Sequence, residues 1–94
     1  MEKQIQTSIL KYLNSLPGCM AVARLGAAHN KGQADIYGSL NGQHFEIEVK
    51  QPGAVASKLQ VKMLEKWNKA GAVAFVAHSV DDVKNILVDK PRTL

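Results

Sequence analysis

The chain has 94 residues, enough for one domain around a single hydrophobic core and too few for a two-domain enzyme. A hydrophobic fraction of 46% with 21% charged residues is that of a globular protein and excludes the polar composition of a disordered one. Twelve Lys and Arg against eight Asp and Glu leave a net charge of +4, which favours polyanionic partners, while a lone cysteine, Cys19, excludes an intrachain disulfide and a thiolate zinc cage.

No run reaches the roughly 20 apolar residues needed to cross a bilayer, and the N-terminus lacks the apolar core of a signal peptide. With one cysteine, this implies a protein of the reducing cytoplasm with no membrane association. No repeat or low-complexity linker interrupts the sequence, so residues 1–94 read as one unit.

Ile5, Ile9, Leu13 and Leu16 recur at helical spacing until Pro17-Gly18 stops them, predicting an amphipathic first helix. Residues 19–25 form a short apolar run between glycines, which predicts a strand, and the polar stretch 27–33 predicts a loop. Two further runs, 34–40 and 43–50, flank Asn41-Gly42, a dipeptide whose residues both tolerate positive φ and so mark a two-residue hairpin turn. Ser57 reads as the N-cap of a helix that continues to Ala70 and closes at Gly71. Leu59, Met63, Leu64 and Trp67 form its apolar stripe. The small apolar run 72–77 predicts a strand buried on both faces in a parallel pairing, and Ser79 with Asp82 predicts the start of a last helix carrying Val83, Ile86 and Leu87. The expected architecture is therefore α/β in the order α-β-β-β-α-β-α: a three-stranded antiparallel meander, a right-handed crossover, and a mixed sheet flanked by helices.

A two-residue turn fixes the hairpin register, setting Leu40 opposite Gln43 and, further along, Tyr37 opposite Glu46, Asp35 opposite Glu48 and Gln33 opposite Lys50. Ala34, Ile36 and Gly38 meet Val49, Ile47 and Phe45 on the other face. Opposed like charges destabilise a sheet unless compensated. Two converging carboxylates suit a hard ion such as Mg²⁺ or Mn²⁺, and the Lys50 ammonium on the same side suits charge neutralisation at a phosphoryl group. The same pattern equally describes an exposed ladder of surface ion pairs.

Gly32-Gln33-Ala34-Asp35-Ile36, a hairpin, then Glu46-Ile47-Glu48-Val49-Lys50 within this element order resemble the PD-(D/E)XK nuclease superfamily, with its restriction-endonuclease-like core. Within it the chain is most similar to the VRR-Nuc family, which also has an early helical Glu, matched by Glu2, and a Gln in the helix after the Glu-x-Lys strand, matched by Gln60. The resemblance runs from Glu2 to about Ser79; Ala34 departs from it, standing where the family usually has Pro. It implies that Asp35, Glu48 and the Val49 carbonyl hold Mg²⁺ or Mn²⁺, that Lys50 serves the nucleophilic water, and that Glu2 and Gln60 complete the catalytic set. The implied reaction is hydrolysis of DNA phosphodiester bonds. For members of this minimal length it further implies phage genomes, homodimers and cleavage of branched DNA such as Holliday junctions, and paired incision indeed needs two sites related by a two-fold axis. A general nuclease without junction preference and an inert nucleic-acid-binding module are the competing readings.

Arg24, Lys31 and Lys58 lie near the expected site and are the candidate phosphate contacts. Glu46 reads as solvated or supporting charge, His29 and His44 as peripheral for want of a Ser or Cys partner, and Cys19 and Trp67 as core.

Overall fold

The computed structural model describes residues 1–25 and 31–89. His29 and most of the expected 27–33 loop therefore lie outside the described residues. Chain order runs α1 (Glu2–Asn14), β1 (Cys19–Ala23), β2 (Ile36–Leu40), β3 (Gln43–Val49), α2 (Lys58–Lys69), β4 (Val73–Ala77) and α3 (Val80–Val83), which continues as a π-helical turn over Lys84–Val88. This is the α-β-β-β-α-β-α order read from the sequence. No helix among the described residues is long and apolar enough to cross a membrane.

The sheet has spatial order β1-β2-β3-β4, antiparallel across the first two pairs and parallel between β3 and β4. Asn41 and Gly42 adopt φ of 50° and 88°, as a type I′ turn requires, and Leu40 pairs with Gln43. From there the expected register holds back to Ile36 opposite Ile47.

The side-chain alternation of β3 divides the molecule into two layers of different chemistry. Phe45, Ile47 and Val49 are buried with Ile9 and Leu13 of α1, Ile36 and Leu40 of β2, and Val83 and Leu87 after β4. This is the main core, and burying residues of that size supplies roughly 1.5–3 kcal/mol each. On the opposite face α2 packs Leu64 against Ala34 and Ala74, with Trp67 and Val76 beside them. Glu46 and Glu48 belong to this second layer and are 0% and 2% exposed. The exposed ion-pair ladder is thereby overturned, because α2 covers the face that its reading assigned to solvent.

The β4 expectation needs a smaller correction. Ala74 and Ala77 are buried, but Val73, Phe75 and Val76 are only partly so, because β4 is an edge strand with a neighbour on one side. Both edges are closed in the same manner. The Asn14 amide, at the end of α1, donates to Ala21 O at 3.0 Å and accepts from Ala21 N at 2.9 Å. Asn68, near the end of α2, does the same for Ala74 at 2.8 and 2.9 Å. A carboxamide presents a donor and an acceptor side by side, so each Asn replaces the missing neighbouring strand at one residue.

Candidate active site

β2 stops at Ile36, and what happens just before it makes the site. Ala34 was expected to face Val49 but instead packs with Leu64 and Ala74 under α2. The alternation breaks at Asp35, which bends out of the ladder rather than standing opposite Glu48 as a regular cross-strand pair. Its Oδ2 accepts a hydrogen bond from Val49 N at 2.9 Å. The carboxylate is thus tied to the backbone of β3 between Glu48 and Lys50.

Glu48 reaches the same place from β3. Its Oε2 accepts from Gln60 Nε2 at 3.0 Å and lies 3.6 Å from Lys50 Nζ. Its Oε1 is buried and has no hydrogen-bond partner among the described residues. Burial first, then the neighbouring Asp35 charge and a proton that the two carboxyls can share, push the Glu48 pKa up to about 8; Lys50 pulls it the other way. Ionising the buried Glu48 beside Asp35 is therefore costly, and a further cation would offset that cost.

Gln60 is oriented by its own helix. Ser57 Oγ accepts from Gln60 N at 3.1 Å, and Gln60 Oε1 accepts from Ser57 N at 2.8 Å, a complete capping box. With its carbonyl engaged in the cap, the amide can present only NH₂ to Glu48. The Ser-x-x-Gln spacing carries this signal in the sequence, beyond the Ser57 cap alone. Leu59 seats the start of α2 against Gly32: a Cβ on Gly32 would lie 2.8 Å from Leu59 Cγ, and Gly32 has φ of 81°. Lys31 and Lys58, the chain neighbours of these two residues, are both exposed.

Arg24 and His44 are placed otherwise than the sequence led one to expect. Arg24 Nη1 donates to Glu46 Oε1 at 2.7 Å and to Ala34 O at 2.8 Å, Nη2 donates to Glu46 Oε2 at 3.1 Å, and the guanidinium lies 4.5 Å from the Tyr37 ring centroid. His44 Nε2 is 2.6 Å from Glu46 Oε2, and its ring sits 4.8 Å from that of Trp67. Glu46 is therefore a buried, fully partnered carboxylate, the supporting charge of the two expected readings and not the solvated one, and His44 is its partner instead of a peripheral residue. Locating this network from the sequence would have required the β1–β2 register, which no turn signal specifies.

Glu2 lies exposed in the first turn of α1 and joins no hydrogen bond or ion pair of the Asp35–Glu48 cluster among the described residues. The start of α1 instead lines an open cleft of about 730 Å³ with Gln51, Pro52 and His78, where β3 and β4 end. The structure thus unites Asp35, Glu48, Lys50, Gln60 and the Val49 backbone, and leaves Glu2 outside the bonded set.

This donor set fits a hard divalent ion. The donors are oxygens, one of them the orphaned Glu48 Oε1, and the raised Glu48 pKa marks a shortage of positive charge. Among the described residues no group of three or more His, Cys, Asp or Glu converges, so Asp35, Glu48 and the Val49 carbonyl would hold an ion that takes its remaining ligands from water or substrate, as Mg²⁺ does. No protein-family model matches the chain, nor does any curated protein or solved structure.

Proposed function

We propose that this protein is a Mg²⁺- or Mn²⁺-dependent DNA endonuclease that hydrolyses phosphodiester bonds. The observation that carries the reading is the convergence of the half-buried Asp35 on the buried Glu48, with an unpartnered Glu48 oxygen and the Lys50 ammonium 3.6 Å from the other. A divalent ion bound there supplies Lewis-acid polarisation of the phosphoryl group. Asp35 is held ready by the Val49 amide, Gln60 fixes the Glu48 carboxylate, and Lys50 offsets the negative charge that develops on the phosphate while orienting the attacking water. The net positive charge and the exposed Lys31 and Lys58 favour a polyanionic substrate. The resemblance to VRR-Nuc proteins adds branched DNA as the substrate and a homodimer as the acting species.

The test is cleavage of a labelled four-way junction and its matched linear duplex by wild type and Lys50→Ala, each with Mg²⁺, Mn²⁺ or EDTA. Paired, metal-dependent cuts confined to the junction and lost in Lys50→Ala are the expected result. Cutting of both substrates would replace junction selectivity with a general nuclease, and binding without cutting would refute the activity.

A further inference from the structure

The basic character of Arg24 marks it as a phosphate contact, yet its guanidinium is turned inward, with the side chain only 17% exposed. One residue grips two consecutive carbonyls at the point where the β2 ladder has ended. Its Nη1 donates to Ala34 O at 2.8 Å and its backbone N donates to Asp35 O at 2.8 Å. Beyond Ile36 no regular pairing holds this segment, and Ala34 brings no conformational restraint of its own. Glu46, at 0% exposure, fixes the guanidinium plane by accepting from both of its terminal nitrogens, and Tyr37 supports the flat face. A buried ion pair contributes little to net stability compared with apolar residues of the same size, so stability alone does not account for this one.

We infer that Arg24, braced by Glu46, is a positioning residue that sets the Ala34–Asp35 backbone and so aims the Asp35 carboxylate at the Val49 amide and Glu48. This deepens the nuclease reading and rests on it for its metal arm. Partners that orient a ligating carboxylate commonly change metal affinity by about 10- to 100-fold when removed.

The test uses Arg24→Met/Glu46→Leu, which exchanges the ion pair for an apolar pair and leaves no buried charge unpaired. Three quantities are compared with wild type: melting temperature in EDTA, hydrogen exchange of the Val49 amide by NMR, and Mn²⁺ affinity by calorimetry. The expected result is a melting temperature at or above that of wild type. The Val49 amide should exchange at least about tenfold faster and the Mn²⁺ dissociation constant should rise about 10- to 100-fold. A folded double variant with wild-type Val49 exchange and Mn²⁺ affinity would overturn the inference. So would a fall of about one in the salt slope of duplex binding with Mn²⁺ affinity unchanged, the mark of a lost phosphate contact. Arg24→Lys, which keeps the charge but cannot span Glu46 and Ala34 as a planar fork, gives the same comparison if the double variant does not fold. A wild type that takes up no Mn²⁺ would refute the nuclease reading, and the Val49 exchange would still decide the positioning role.

Discussion

Replacing Glu48 with Gln is the perturbation that most directly probes the electrostatics of the site. In the metal-free fold Glu48 titrates near 8 instead of 4.5, because burial and Asp35 oppose its ionisation. Between those two values the native state keeps a proton that the unfolded chain has lost, so stability falls as pH rises through that window. A separation of this size has a ceiling of about 5 kcal/mol, and we expect roughly 2–3 kcal/mol because the side chains around Glu48 relax and admit water when it ionises. Glutamine has the shape of the protonated acid and cannot ionise. Its oxygen can accept from Gln60 while its NH₂ faces Asp35. Urea denaturation in EDTA at pH 5, 6.5 and 8 should therefore show Glu48→Gln close to wild type at pH 5 and more stable by about 2–3 kcal/mol at pH 8. Taking the difference between the two proteins cancels the contributions of the groups common to both. A difference that stays constant across the three pH values would refute the account of a charge-starved carboxylate pair.

The remaining predictions address the pair, the catalytic lysine and the sheet edges. Asp35→Asn keeps an acceptor for the Val49 amide but removes the like charge, so it should raise the melting temperature of the metal-free protein at pH 8. Mg²⁺ or Mn²⁺ should raise that of wild type and leave the variant nearly unmoved, as read by thermal denaturation with and without EDTA. Lys50→Ala should abolish cleavage while the far-ultraviolet circular dichroism spectrum stays that of wild type; undiminished turnover would remove Lys50 from the mechanism. Asn68→Ala and Asn14→Ala each strand one buried or half-buried backbone donor and acceptor at a sheet edge, and each should cost about 1–3 kcal/mol by urea denaturation.

Local rules carried much of the fold. Asn41-Gly42 fixed a turn, and the turn fixed the register from Leu40–Gln43 back to Ile36–Ile47, because positive φ at both positions leaves few other hairpins open. Helical spacing of Ile9 and Leu13, strand alternation of Phe45, Ile47 and Val49, and the Ser57 cap each depend on neighbours only a few residues away. The grouping of Asp35, Glu48 and Lys50 followed from that same turn, since all three lie within the reach of one hairpin.

What the sequence by itself determined was thus the order of elements, the hairpin register as far as Ile36–Ile47 and the nearness of Asp35 to Glu48, all consequences of short-range backbone sterics and periodicity. Only the tertiary structure decided what the polar face of β3 meets. The closure of α2 over it depends on Leu64 meeting Ala34 and Ala74, which are distant in sequence, and that closure turns an ion-pair ladder into a dry site with Glu48 near pH 8. The inward turn of Arg24 toward Glu46 and Ala34 likewise needs β1 in its register beside β2, a register set by the common core beneath them and not by any local signal. Charge and spacing name the groups available for chemistry; packing determines which of them are desolvated, and desolvation of Glu48 beside Asp35 gives the site its need for a cation.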